Sequence, residues 1–145
     1  MLGAKAKARF TRTRRAAQRG AVLIEFAVTT VALVAITLVG IEIDRMILVY
    51  ASLANAASEG VRFAAVQTAP DEAAVRAKVK SFASGMNVTR ITVTTTYSAG
   101  DNGQAAGTPG SKVSVLAVYA YDRWISLFIP SGLNFTARGA GIVTY

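Results

Sequence analysis

The chain contains no cysteine and no histidine. No disulfide framework, thiol nucleophile or Cys/His zinc site can be built from it, and a Ser/His/Asp triad is excluded because the commonest general base is missing. Acidic residues are few, 8 against 16 Lys and Arg, which leaves a formal net charge of +8. A single domain is the natural reading of 145 residues. Once a targeting or membrane segment is subtracted, the remaining core is of the size at which folding alone is marginal, so partners are expected.

An excess of this size invites a nucleic-acid role, since basic patches neutralise phosphates. Its distribution argues against one. Lys5, Lys7, Arg9, Arg12, Arg14, Arg15 and Arg19 fall within the first 20 residues, where there is no acid, and the rest of the chain has 9 basic and 8 acidic groups. The charge belongs to a tail, and no nucleic-acid partner is expected.

Directly after the tail, Ala21 to Ile43 reads AVLIEFAVTTVALVAITLVGIEI, with Glu25 and Glu42 as its only charges. About 20 mostly apolar residues suffice to span a bilayer. The alternative, a helix buried in a globular core, needs more surrounding protein than this chain has. Residues 21–43 therefore read as a transmembrane helix. Basic flanks are retained on the cytoplasmic side, so the N-terminus is expected inside and the rest outside. A standard signal peptide fits poorly because the nearest A-x-A pattern, Ala54-Asn55-Ala56, lies well beyond the apolar run. The tail is also Arg-rich and acid-free like a mitochondrial transit peptide, a match of composition alone.

Past the span, no proline interrupts Asp44 to Ala65, and Ile43, Ile47, Tyr50, Ala54, Ala57, Val61 and Ala65 recur at helical spacing as one narrow apolar face. A single helix of about 65 Å is expected from Ala21 to Ala65 at about 1.5 Å per residue. Gly40 and Gly60 are its soft points. A second helix, Pro70 to Ser84, is signalled by Thr68 as cap with Asp71 answering three residues on, by the stripe Val75, Val79 and Phe82, and by Gly85 as a stop.

The period then changes to two. Ile91, Val93, Thr95 and Tyr97 alternate with Thr92, Thr94 and Thr96, as in a half-exposed strand. Ser98 to Gly110 is a glycine-rich loop. Ser111 to Tyr121 is apolar on both faces, which suits a central strand. Trp124 to Pro130 is an aromatic-rich connection, and Leu133 to Tyr145 is a last strand carrying Phe135, Ala137 and Ile142, loosened by Gly139 and Gly141. The expected fold is α+β: a long N-terminal membrane-spanning helix continuing into a small domain (residues 44–145), in which a second helix packs on a three-stranded antiparallel sheet.

The stretch Arg19-Gly20-Ala21-Val22-Leu23-Ile24-Glu25-Phe26 carries the functional signal. A basic leader stops at a glycine, an apolar helix starts at once, and a carboxylate sits five residues into it. An acid inside a span is expensive, about 2.5–3.5 kcal/mol near the bilayer centre, and marks a functional residue by default. From the cytoplasmic edge it can also snorkel to the headgroups. If the chain were cut after Gly20, Ala21 would present a new ammonium that Glu25 of a neighbouring subunit, or of the same chain, could neutralise.

This arrangement resembles the prepilin class, whose leader is removed after the glycine by a prepilin peptidase. Gly40-Ile41-Glu42, together with Asn55-Ala56-Ala57-Ser58-Glu59-Gly60-Val61-Arg62-Phe63-Ala64-Ala65, resembles TadE-like proteins, the pseudopilins of tight-adherence (Flp, type IVc) pilus systems. Phe26 stands where major Flp pilins usually have Tyr, and the chain is much longer than a major Flp pilin. Both departures favour a minor pilin. The chain is also too short for the additional domain of TadG-like relatives.

The resemblance implies a pilin-like fold, no catalysis and no cofactor. It makes residues 1–20 a cleaved leader, Gly20 and Ala21 the processing site, and Glu25, with Phe26 beside it, the assembly or recognition carboxylate. The implied partners are a prepilin peptidase, sibling pseudopilins, the major Flp pilin and the assembly platform. The implied location is the inner membrane, with the C-terminal domain in the periplasm or in a pilus at the cell surface. Glu59 and Arg62, three apart on the helix, form a surface pair or dock the second helix or a neighbouring subunit. Glu42, Asp44 and Arg45 mark the exit from the bilayer, and Trp124, Phe128 and the tyrosines make core or interfacial contacts. The rival reading is a permanently membrane-anchored module whose outer domain binds a ligand or envelope component with the leader still attached.

Overall fold

A computed structural model describes residues 2–125 and 129–144, with side chains described from residue 20 onward. The order of elements is α1 (Leu2–Ala65), α2 (Glu72–Phe82), a short 3-10 turn (Val88–Arg90), β1 (Ile91–Ser98), β2 (Lys112–Ala120) and β3 (Asn134–Ile142). The chain divides into two units, Met1–Ile41 and Glu42–Tyr145. Phe128, placed in the aromatic cluster by its sequence, and Tyr145, the expected end of the last strand, lie outside the described residues.

The first unit is helix alone. From Val22 to Ile36 its large side chains, Phe26 among them, stand open to the surroundings. Water does not tolerate a contiguous apolar surface of this extent. From Gly20 the helix is long and apolar enough to cross a membrane. The described threonines of this unit are satisfied within the helix: Thr29, Thr30 and Thr37 donate to the carbonyls of Glu25, Phe26 and Leu33 at 2.8–2.9 Å. That pattern suits a medium offering no other hydrogen-bond partners.

The second unit is a two-layer α+β domain. Its sheet runs β1-β2-β3, all antiparallel, with β2 in the centre. The alternation anticipated for β1 holds, with Ile91, Val93 and Thr95 buried and the intervening threonines exposed. On β2, Val113, Val115, Ala117 and Tyr119 face the helices and are buried. On β3 the inward residues are the odd-numbered ones, so Ala137 and, just past the strand, Val143 are buried while Ile142 is 60% exposed. The apolar Ile142 therefore points away from the core, contrary to its hydropathy.

The buried face of α1 is also rotated from the expected one. Of the expected face Ala57 and Val61 are buried, together with Val49, Leu53, Ala56 and Ala64, whereas Ile43, Ile47 and Tyr50 are about half exposed or more. The small residues Ala56, Ala57, Gly60 and Ala64 sit on the buried face and let the sheet and α2 come close. Gly60, Gly139 and Gly141 are part of that approach and are not loosening elements. A Cβ on Gly139 would lie 2.7 Å from Val61 Cγ2 and 3.1 Å from the Ala57 carbonyl oxygen, and one on Gly141 would lie 2.7 Å from Val61 Cγ1. A Cβ on Gly60 would collide with Val79 of α2. The last carbonyl of α1, on Ala65, accepts from Thr144 N at 2.8 Å and from Thr144 Oγ1 at 3.0 Å, which ties the end of the helix to the strand beyond β3.

Helix α2 starts later than its sequence suggests. Asp71 is the cap, in an extended conformation, with its carboxylate accepting from Ala74 N at 3.0 Å. Thr68 precedes Pro70 and lies too far upstream of the first helical turn to reach the same N–H groups. Val75 and Val79 are fully buried, and Ala83, rather than Phe82, completes the buried line. Gly85 follows in the left-handed region, φ 75°, as expected of a residue that turns the chain away from a helix end.

Candidate functional site

Gly20 and Ala21 lie within α1 and are exposed, and nothing stands within 4 Å of where a Gly20 side chain would project. Both sides of the Gly20–Ala21 peptide bond are therefore small and open. Glu25 follows one turn later and is likewise exposed, next to Phe26 at 69% exposure. Its carboxylate has no ion-pair partner among the described residues. The arrangement is an open small-residue bond, then an acid on an apolar helix that no described residue neutralises.

Glu59 and Arg62 pair with each other on α1, Nη1 to Oε1 at 3.2 Å, with Arg62 79% exposed. An exposed pair three residues apart contributes about 0.2–0.5 kcal/mol.

A second constellation was not anticipated. Glu42 is 1% exposed, and the segment that leaves β2 closes over it. Its Oε1 accepts from the Tyr121 hydroxyl at 2.9 Å and from the Trp124 backbone N–H at 3.1 Å. Arg45, one turn along α1, approaches the same oxygen at 3.7 Å. The Arg45 guanidinium also donates to the Asp122 carbonyl at 2.8 Å and lies 4.2 Å from the centre of the Trp124 ring and 5.2 Å from that of Tyr121. Tyr121 packs edge-on against Phe135 of β3 at 5.3 Å. One carboxylate thus fixes the end of β2 to α1. Glu42 and Arg45, expected to mark the exit from the bilayer, make this tertiary lock, while Asp44 between them is exposed. Their spacing of three beside an aromatic-rich connection was the available signal, but which aromatics would return to the helix is a property of the sheet.

Burial, and then the hydrogen bond to Glu42, pushes the Tyr121 phenol up to about 12, against a smaller opposing pull from Arg45. Tyr97 is also raised, by burial and then by the charges of Glu72 and Asp71. For a group whose folded pKa is raised, the stabilisation is complete below the unfolded value near 10 and is lost as pH rises through about 12. In a tyrosinate absorbance titration, Tyr121→Phe is expected to remove a late step near pH 12. A wild-type chain whose phenols all ionised in the ordinary range would contradict the closed site.

Comparison with known proteins bears on the helix that carries both constellations. Residues 20–62 match the TadE-like protein family. The matched stretch opens on Gly20 and Ala21, includes Glu25, Glu42 and Arg45, and closes on the Glu59–Arg62 pair. It covers just under a third of the chain, so the similarity is confined to the helix, and α2 and the sheet lie outside it. No curated protein and no solved structure matches the chain.

Proposed function

We propose that the chain is a TadE-like minor pilin or pseudopilin that takes part in assembling a Tad/Flp type IV pilus used for adhesion. The observation that carries this reading is the position of the TadE-like match, which begins at Gly20 and includes an apolar helix with an open acid one turn inside it. In this reading the basic leader holds the N-terminus in the cytoplasm and a prepilin peptidase cuts after Gly20. The remainder stays in the inner membrane with its α+β domain in the periplasm until it joins or primes a pilus. The chain catalyses nothing. Sibling pseudopilins, the major Flp pilin and the assembly platform are its partners, and the new Ala21 ammonium is neutralised by Glu25 of an adjacent subunit.

Neutralisation between subunits makes a separable prediction. Glu25→Ala removes a carboxylate that no described residue engages, so folding and membrane insertion are expected to be unchanged. Incorporation into sheared pili is expected to fall to background. Normal incorporation of Glu25→Ala, measured by immunoblotting of pili against the membrane fraction, would refute the pairing.

A further inference from the structure

Trp124 is the chain's single tryptophan and is 73% exposed. A bulky apolar ring left open on a small domain calls for an explanation, and this one is not loose. Its backbone N–H is bound to Glu42 at 3.1 Å, and its ring lies on Arg45 at 4.2 Å. Both anchors belong to the turn of α1 at the end of the apolar run, where Glu42 directly follows Ile41.

The level of the ring relative to a bilayer follows from helix geometry. Ala21 to Ile41 spans about 31 Å at about 1.5 Å per residue, against about 30 Å of hydrocarbon. The hydrocarbon boundary then falls at about Ile41. Arg45, one turn further, lies about 5–6 Å beyond it, inside a headgroup layer that is about 5–8 Å thick on each side. Tryptophan concentrates in that layer because its ring is apolar and its indole N–H is polar.

The surroundings agree with this level. Ile47 and Leu48, just past Arg45 on α1, are 60% and 70% exposed, so the domain leaves that side of the helix uncovered. Asp44 is exposed among them, which fits hydrated headgroups and not the hydrocarbon interior. The carboxylate nearest the apolar run, Glu42, is sealed by Tyr121, Trp124 and Arg45 and presents no charge to lipid.

We infer that Trp124, held on Arg45 and Glu42, is a membrane-surface contact that rests the domain on the phospholipid headgroups of the leaflet the helix emerges from. The inference rests on the transmembrane reading of the helix. It adds a contact to the membrane-held state: the Trp124 ring touches lipid, and leaving the bilayer requires that contact to be given up.

The single tryptophan makes the test direct. The full-length chain is reconstituted into vesicles of phosphatidylethanolamine and phosphatidylglycerol, and flotation establishes membrane insertion. Trp124 emission is then measured with phospholipids brominated near the headgroup end of the acyl chain, with phospholipids brominated near its methyl end, and with aqueous iodide. The expected result is loss of most of the emission to the shallow bromolipid, a smaller loss to the deep one and little loss to iodide. Quenching by iodide without quenching by bromolipid places the ring in water and overturns the inference. Protection from both places it under protein, such as a second copy of the chain, and also overturns it. As a reference, Val66→Trp in a Trp124→Phe background puts the fluorophore just beyond the far end of α1, at a position 54% exposed. There the response is expected to be to iodide alone, and bromolipid quenching there would mean general adsorption of the domain and overturn the specific contact. Failure to float removes the transmembrane reading and this one together, whereas flotation with Trp124 in water removes this one alone.

Discussion

Glu42→Ala is expected to destabilise the second unit by about 3 kcal/mol, the cost of breaking a buried ion pair by removing one partner. The substitution removes the acceptor for the Tyr121 hydroxyl and the Trp124 N–H together, and it leaves Arg45 without its carboxylate. For a unit of this size, such a loss lowers the unfolding midpoint by more than about 10 °C. Thermal unfolding of the full-length chain in nonionic detergent, followed by near-ultraviolet circular dichroism of the aromatic cluster, measures it. Glu59→Ala is the internal comparison, an exposed pair worth about 0.2–0.5 kcal/mol. If the two substitutions cost the same, Glu42 is not a lock. Glu42→Gln keeps an acceptor oxygen and is expected to fall between them.

The second large effect belongs to Gly139. Gly139→Val is expected to cost at least about 1–3 kcal/mol, the range for overfilling a packed core. Its first added carbon would meet Val61 Cγ2 at 2.7 Å and the Ala57 carbonyl oxygen at 3.1 Å, and a helix carbonyl cannot rotate aside as a side-chain tip can. Seating the new side chain requires α1 to lift from β3, which also strains the Thr144 bonds to Ala65. Ala140→Val, on the exposed face of the same strand, raises β propensity without touching α1 and is expected to stay within about 0.5 kcal/mol of wild type. Urea unfolding of the two variants side by side separates loss of the helix seat from a general effect on the strand.

The two periods in the sequence made most of the architecture legible. Alternation over Ile91 to Tyr97 defined a strand and its inward face, and apolarity on both faces of Ser111 to Tyr121 placed that strand at the centre. What periodicity could not do was choose between two apolar stripes on one helix. The stripe with Ile47 and Tyr50 is the more hydrophobic, and the stripe that is buried begins with a carboxylate. Glu42 could not be assigned to the core without knowing that Tyr121 and Trp124 return to it. Gly139 and Gly141 read as weak points in a strand for the same reason, because the atoms that occupy the space of their missing side chains come from a helix some 80 residues away in the chain. The cap of α2 moved from Thr68 to Asp71 through a purely local choice between two capping residues three positions apart, the kind of boundary that sequence patterns fix least well.

The candidate site divides in the same way. Gly20, Ala21 and Glu25 are visible in sequence because their meaning depends on their order along one helix. The Glu42 lock is not, since it is assembled from residues on opposite sides of the fold. Under the proposed processing the basic tail orients the chain and is then removed, taking 7 of the 8 net charges with it. The protein that assembles is then close to neutral.

The central claim, that this is a processed pilin subunit, is tested most directly by mass spectrometry of the membrane-bound protein co-expressed with its matching prepilin peptidase. A mature N-terminus at Ala21 is the predicted result, and a chain that keeps residues 1–20 under those conditions would contradict it.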